Sequence, residues 1–486
     1  MYPVEQPKRA RPGRIVLWVV AVLLVVLLLV VGGYYLWFVH IMSGAHGRLD
    51  QAAHTALATP PPEPMAASAS SGGMNILLLG SDKRAGVSGG RSDTIMLVHV
   101  DRSGKFVSLL SLPRDLRVDV PGHGLNKLNT AYSYGGAALA IRTIKQVTGV
   151  NVDHYLQLDF QAFEQLADSL GGVYIDVDRR YFNDDPSYEP INIQAGYQLL
   201  DGHDALEYVR FRHDHNADFG RMLRQQRFLQ ALREQVGHQG AGIVFKLPSL
   251  AGALLSDSTT DLSADQVLSL AYFTARLGSG HIRQVRLVGS TPTIGGVSYV
   301  VASAGDIAQA VKDFSSPAAA TSSSAAPGGS SAPATGSSTT VASGTTGHRG
   351  LSAWRAVAGT VSFTVEAPDY LPAGYAYFDR MPAAGQTYTI KTGSGVKQAV
   401  RVIFRESGHD EYLGVTETSW LGAPIASPGS TVTSGGITYT VVGSEGKPDH
   451  VWWKKGGVLF WVSNTISYRL PASELIKVAK SCGPIG

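Results

Sequence analysis

The 486-residue sequence predicts an α/β domain over residues 74–314, preceded by one transmembrane helix and followed by a tethered, smaller β-rich α+β domain. Three observations carry this prediction. Apolar runs of strand length alternate with helix-period segments across 74–314. Residues 15–39 hold no charge and are dominated by Val, Leu and Ile. Residues 315–350 are nearly all Ser, Ala, Gly, Thr and Pro, a composition that cannot bury a core and reads as a flexible linker.

The apolar run at 15–39 is long enough for a bilayer core of about 30 Å. Lys8, Arg9, Arg11 and Arg14 precede it, and Tyr34, Tyr35 and Trp37 lie at its far end, where aromatic belts form. A cleaved signal peptide would have a shorter apolar core of about 7–15 residues, so an uncleaved anchor is expected. The basic flank puts the tail 1–14 in the cytoplasm and everything after His40 outside. Residues 40–73 read as a juxtamembrane linker, with Pro-, Ala- and Ser-rich sequence at 59–73. A net charge of +3 offers no bulk basic field, so nucleic acid is not an expected partner. The lone cysteine, Cys482, excludes an internal disulfide or a Cys-based zinc site, and reads as a small buried hydrophobe in a terminal helix.

Within 74–314, NILLLG (75–80), DTIMLVHVD (93–101) and KFVSLLSL (105–112) read as three consecutive strands. Helices are expected at 136–147, 160–170, 201–209 and 221–236, and another opens at Ser263 with Gln266 completing a capping box. The 351–486 unit contains the short apolar runs VSFTVEA, QAVRVIFR, ITYTVVG and VLFWVSN, Gly-rich turns and a terminal helix near 473–480. Its Trp420, Trp452, Trp453 and Trp461 could stack on sugars, but a small β-rich core accounts for them better. A fragment lacking 315–486 is expected to fold alone.

If the three strands form a meander, their ends bring Asp82, Arg91, Asp93 and Arg114 to one edge of the sheet. Two carboxylates beside two guanidiniums suit a diphosphate with a divalent ion: Asp oxygens suit Mg²⁺, and Arg forks match phosphate oxygens. Further on, Arg210 and Arg212 lie two apart and would share one face of an extended segment, with Val209 and Phe211 on the other. Asp218 then precedes a helix on which Arg221, Arg224 and Gln225 fall at i, i+3 and i+4, and helix N-termini favour phosphate. Surface ion pairs explain any one of these arginines equally well, but explain their clustering among apolar residues less well.

The ordered segments NILLLGSDKR, RSDTIMLVHVD, SLPRDLRVDVPG, KLNTAYSYGG, LGGVYIDV, GYQLLDGHDALEYVRFR and DFGRMLRQQRF resemble the successive motifs of the LytR-CpsA-Psr family. The resemblance is dense over 74–240 and looser to 314. It implies a central mixed β-sheet wrapped by helices, with an apolar pocket for a polyprenyl chain. It also implies an extracytoplasmic phosphotransferase that moves a glycan from a polyprenyl diphosphate to peptidoglycan through a phosphodiester. By the same resemblance Asp82 and Asp93 hold Mg²⁺, and Arg91, Arg114, Arg210, Arg212 and Arg221 contact the phosphates. Asp218 orients arginines, and Gln225 lies beside the phosphate site. Asp82, Arg91, Asp93, Arg114 and Asp218 are thus the catalytic candidates. Lys127, Asn129 and Tyr132 match the family's pattern without an assigned role. Arginine stays protonated, so proton removal falls to a carboxylate or to water, with a site aspartate the favoured candidate.

Two further signals carry less. Gly86-Val87-Ser88-Gly89-Gly90 fits a nucleophile-elbow pattern but lacks the strand before and helix after that an elbow needs. His213 and His215 have no third ligand at convincing spacing. The rival functions are a non-catalytic wall-binding scaffold and a membrane-bound transcriptional regulator. The fourteen residues before the apolar run are too few for a DNA-reading module.

Overall fold

Strands β1 (Met74–Ser81), β2 (Ser92–Asp101) and β3 (Phe106–Leu112) pair antiparallel in sequence order, as the three apolar runs and their turns predict. The computed structural model describes residues 49–62, 73–81, 92–185, 190–212, 217–238, 258–277, 281–316, 351–378, 385–406, 411–444 and 447–485, with a few isolated positions beside them. Nearly all of the 15–39 run, the 315–350 linker, the Gly86–Gly90 pattern and both His213 and His215 lie outside the described residues. Among the described residues no helix is long and apolar enough to cross a membrane.

The meander is extended on both sides. After the hairpin β4 (Arg117–Val120) and β5 (Gly124–Lys127), strand β6 (His154–Asp159) adds parallel to β1. A small subdomain follows, with strands β7 (Val173–Val177), β8 (Tyr181–Asn183), β9 (Ile191–Ile193) and β10 (Gly196–Leu200) in two hairpin-like pairs. Strand β11 (Ser258–Thr260) then pairs antiparallel with β6, and β12 (Ile282–Arg286) pairs parallel with β3. Among the described residues the result is a mixed sheet in the order β11-β6-β1-β2-β3-β12.

Strict alternation builds two cores from these strands. Leu77, Leu79, Ile95, Leu97, Leu110 and Leu112 face one side. There they meet α1 (Gln51–Ala58), α2 (Thr130–Thr148) and, beyond β12, a later helix over 304–315. Met96, Val100, Val107 and Leu109 face the other side, toward Leu229, Leu270 and Phe273. Each such side chain, fully buried, contributes about 1.5–3 kcal/mol. Helix α2 ends where Gly149 takes the left-handed conformation (φ 64°). The expected start of the domain at 74 needs correction. Helix α1 lies in the stretch read as linker, yet Leu49, Ala53 and Ala56 belong to the core, and buried Lys145 donates to the carbonyls of Ala56, Leu57 and Thr59 at the helix end. Small alanines gave this short helix no clear apolar stripe in sequence.

Four more helices are α3 (Phe160–Ser169), α4 (Gly202–Arg210), α5 (Ala217–His238) and α6 (Ala264–Arg276). They match the expected segments to within a few residues, and Ser263 and Gln266 form the expected capping box. Helices α3, α4 and α5 share a core with β7, β8 and β9.

The C-terminal unit, residues 351–485, is β-rich. Its sheet runs 375–377, 395–406, 412–418, 458–463, 447–455, 437–444 and 430–434, with 385–392 also paired to 395–406. The runs QAVRVIFR, ITYTVVG and VLFWVSN are strands as expected, whereas VSFTVEA is strand only from Glu366. Helices 351–358 and 472–480 cover one face, around Trp354, Trp453 and Val462. Cys482 follows the terminal helix and opens a short strand instead of lying within the helix. The other face of the sheet docks on the first domain. Ala399, Leu459 and Trp461 pack with Tyr197 and Tyr174, and Ile403 and Tyr412 with Ala195. Removing residues 315–486 would therefore expose a face of the first domain that is buried in the full chain.

Candidate active site at the strand edge

The register fixes which residues meet. Ser81 pairs with Ser92, Ile95 with Leu112, Ser81 with Asp159, and Ser111 with Arg286. The ends of β1, β3, β6 and β12 and the start of β2 thus share one edge. Gly80 pairs with Thr94 while Ser81 pairs with Ser92, so Asp93 is the extra residue of a β-bulge at that edge. Asp82 follows Ser81 in the chain. Asp82 and Arg91 lie outside the described residues, as do the side chains of Asp93 and Asp218.

Beneath the edge lies a polar network that the sequence did not flag. Gln157 on β6 donates 2.7 Å bonds to both Ser81 Oγ and Tyr132 OH, while its carbonyl accepts from Tyr155 OH at 2.7 Å. Burial pushes the Tyr132 phenol up from its ordinary value, so it holds its proton at neutral pH. Tyr132 joins β6 to the start of α2 through its phenolic oxygen.

Arg114 follows β3. Its Nε lies 3.8 Å from Asp115, which Lys127 also engages at 3.0 Å. The backbone of Asn129 donates to the Arg114 carbonyl at 3.0 Å. Lys127 and Asn129 thus hold the Arg114 segment, which gives two of the unassigned family positions a physical task.

Arg210 is not in an extended segment. It is the last residue of α4, and Phe211 is the C-cap. Val209 and Phe211 are buried, and Arg210 and Arg212 half-buried, as alternation would predict, but the cause is a helix end turning outward. The Arg210 guanidinium sits 4.4 Å above the Phe160 ring and 3.1 Å from Glu207. Phe160 follows Asp159, the register partner of Ser81, so Arg210 arrives at the same edge. Neither Phe160 nor Glu207 was legible as a site residue, since each reads as ordinary helix sequence.

Helix α5 lies across the sheet. Gln225 donates to Thr94 Oγ1 at 2.7 Å and Gln226 to Ser111 Oγ at 3.0 Å, which ties the first half of the helix to β2 and β3. Gln225 is thus a tether between helix and sheet beside the predicted phosphate site. Arg221 and Arg224 are both buried, and Arg224 donates to the Phe211 carbonyl and stacks 5.0 Å from Tyr181. Arg224 thus holds Phe211, the C-cap of α4 and the residue directly before Arg212. Arg114 after β3, Arg210 at the end of α4 and Gln225 on α5 all reach this edge, with Arg221 buried one turn before Gln225 on the same helix. Such a set can neutralise a polyanion and orient it.

A model of the LytR_cpsA_psr family matches residues 42–315. The chain is 37% identical over 193 residues to the regulatory protein MsrR of Staphylococcus aureus, a match covering 39% of this chain and 57% of MsrR. It is 30% identical over 244 residues to the polyisoprenyl-teichoic acid–peptidoglycan teichoic acid transferase TagU of Halalkalibacterium halodurans, covering 50% of this chain and 78% of TagU. Among solved structures, Bacillus subtilis TagV is similar at 27% identity and a TM-score of 0.45, over 50% of this chain and 96% of TagV.

Proposed function

The chain belongs to the LytR-CpsA-Psr family, and on that premise we propose that it transfers a glycan phosphate from a polyprenyl-diphosphate carrier to peptidoglycan, outside the membrane. TagU, which carries a transferase name of this kind, is matched over 78% of its length. The observation that carries the reading is the Gln225–Thr94 bond. It ties the arginine-bearing start of α5 to the strand edge where Arg114 and Arg210 also arrive.

In this reading an acceptor hydroxyl attacks the phosphorus that bears the glycan. The bond from that phosphorus to the oxygen of the lipid phosphate breaks, and polyprenyl phosphate leaves. Arg114, Arg210, Arg212 and Arg221 bind the diphosphate oxygens and offset the charge that builds on the leaving phosphate. Arg91 would join them. The hydroxyl proton passes to a site carboxylate or to water. Asp82, next to Ser81 in the chain, and Asp93, at the bulge, would supply carboxylate oxygens of the kind Mg²⁺ takes. When bound, the ion would supply charge neutralisation at the diphosphate. Asp218, in the first turn of α5, would orient arginines. The 15–39 run would anchor the chain in the membrane, with residues 1–14 in the cytoplasm.

The test supplies the purified chain with a lipid-diphosphate glycan and peptidoglycan fragments. Release of polyprenyl phosphate matched by phosphodiester-linked glycan is expected. Asp82→Asn and Asp93→Asn should each slow transfer, with partial relief by excess Mg²⁺. Retention of glycan on the protein or wall with no polyprenyl phosphate released would make the chain a binding scaffold.

A further inference from the structure

We propose that the C-terminal domain is a working part of the transfer site, because its Asp449 grips Arg227 and thereby sets the position of helix α5. This rests on the transferase reading above. Arg227 lies three residues, a rise of about 4.5 Å, beyond Arg224 on the same helix. Its Nη2 donates to Asp449 Oδ1 at 3.1 Å, and both side chains are buried. Arg227, Gln230, Ala231 and Glu234 fall at i, i+3, i+4 and i+7, and line the small cavity against Asp449 and Ile425. One stripe of α5 therefore faces the C-terminal domain, while Gln225 and Gln226 hold the sheet.

Asp449 is itself held rigidly. His450 Nδ1 donates to its second oxygen at 2.8 Å, and His450 Nε2 donates to the Ile425 carbonyl at 2.8 Å. Burial lowers the His450 pKa, but these acceptors more than offset it and leave the ring above its ordinary value. The Glu234, Asp449 and His450 side chains, with ligand atoms within 4.8 Å of one another, form the buried cluster that Arg227 pairs with. A second anchor pins the subdomain beside α5. Arg401 donates to Asp176 on β7, which also accepts from Trp461 Nε1 and Ser463 Oγ. Gly414 makes room for Arg401, since a Cβ there would come within 2.4 Å of the guanidinium. Gln235 of α5 bonds the Gly172 carbonyl and the Tyr174 amide, joining the two anchors. A helix clamped between sheet and C-terminal domain cannot shift its arginines, and misplacement by about 1 Å can cost on the order of 100-fold in rate.

The experiment uses the full chain with Asp449→Asn, which keeps the side-chain shape and removes the charge. The expected result is a fall of about tenfold in kcat with the KM for the lipid substrate nearly unchanged. Amide exchange over residues 219–226 should quicken as well. Asp449→Glu should recover part of both. A folded, docked Asp449→Asn chain with wild-type kcat and wild-type exchange in 219–226 overturns the proposal. If Asp449→Asn unfolds the C-terminal domain, retained transfer also overturns it, and Arg227→Gln, which removes the charge from the other side, then replaces it. That variant leaves every C-terminal residue intact, and wild-type kcat and exchange in it count against the proposal in the same way. If the wild-type chain transfers nothing, the transferase reading fails, and the exchange measurement alone decides whether Asp449 holds α5.

Discussion

Arg210 and Arg401 are the same residue type, each beside a buried carboxylate, and the structure uses them in opposite ways. Arg210, at the strand edge, is 28% exposed and keeps one face over Phe160, with Glu207 at its side. Arg401, in the C-terminal sheet, is fully buried and is held by Asp176 and by Thr416 at 3.0 Å. An arginine left at a water-facing edge can still recruit a phosphate. One enclosed with its counterion gives little net stability by itself, but removing either partner leaves a bare charge in a low dielectric. The first kind suits ligand binding, the second fixes how two domains sit.

The largest expected effect follows from that contrast. Arg401→Ala strands Asp176 and should cost about 3–5 kcal/mol. Denaturant unfolding of the full chain, followed by the buried Trp461 at that interface, should show it. A loss below about 1 kcal/mol would mean that water reaches Asp176 and that the comparison fails.

Arg210→Lys should leave the melt near wild type yet reduce transfer by one to two decades, about 1.5–3 kcal/mol, because the charge remains and the fork is lost. Lys variants that transfer at wild-type rate would make Arg210 a surface ion pair only.

The two interdomain anchors should also answer pH differently. Burial pushes the Asp176 carboxyl up, but Arg401 and Arg227 more than offset it and leave it below its ordinary value. Its stabilisation is present above the ordinary value of 3.8 and is lost as pH falls through the lowered one. Burial raises Glu234 to about 7, and His450 is raised as well. Both bind protons more tightly when docked, so the contact should weaken as pH rises through neutrality. Interdomain protection measured at about pH 5.5 and about pH 8 should be higher at the lower value. Equal protection would remove Glu234 and His450 from the docking energetics.

The smallest effect serves as a control. Ser263→Ala removes the α6 cap, which touches neither arginine set, and should cost about 1 kcal/mol in the melt with transfer unchanged. A transfer defect there would show that helix stability anywhere in the domain reaches the site.

Much of the first domain was legible because its determinants are local. The meander followed from three apolar runs and short connections, and its register puts Ser81, Ser92 and Leu112 at the predicted edge. The capping box at Ser263 and the arginine-bearing helix after Asp218 were equally local. Arg210 was misplaced because alternation in Val209-Arg210-Phe211-Arg212 looks the same at a helix end as in a strand. Gln157 was missed because its partners Ser81 and Tyr132 lie 76 and 25 residues away.

By itself the sequence determined the strand meander, most of the helices, the β-rich character of the C-terminal unit and the cluster of arginines around the DFGR segment. Hydrophobic period, caps and turns act over a few residues and are written in the chain. Only the tertiary structure decided which arginines stay at the water-facing edge and which are enclosed. Asp176 and Arg401 are 225 residues apart, and Arg227 and Asp449 are 222 apart. Whether such a charge is solvated or paired depends on what folds over it, and no local pattern encodes that.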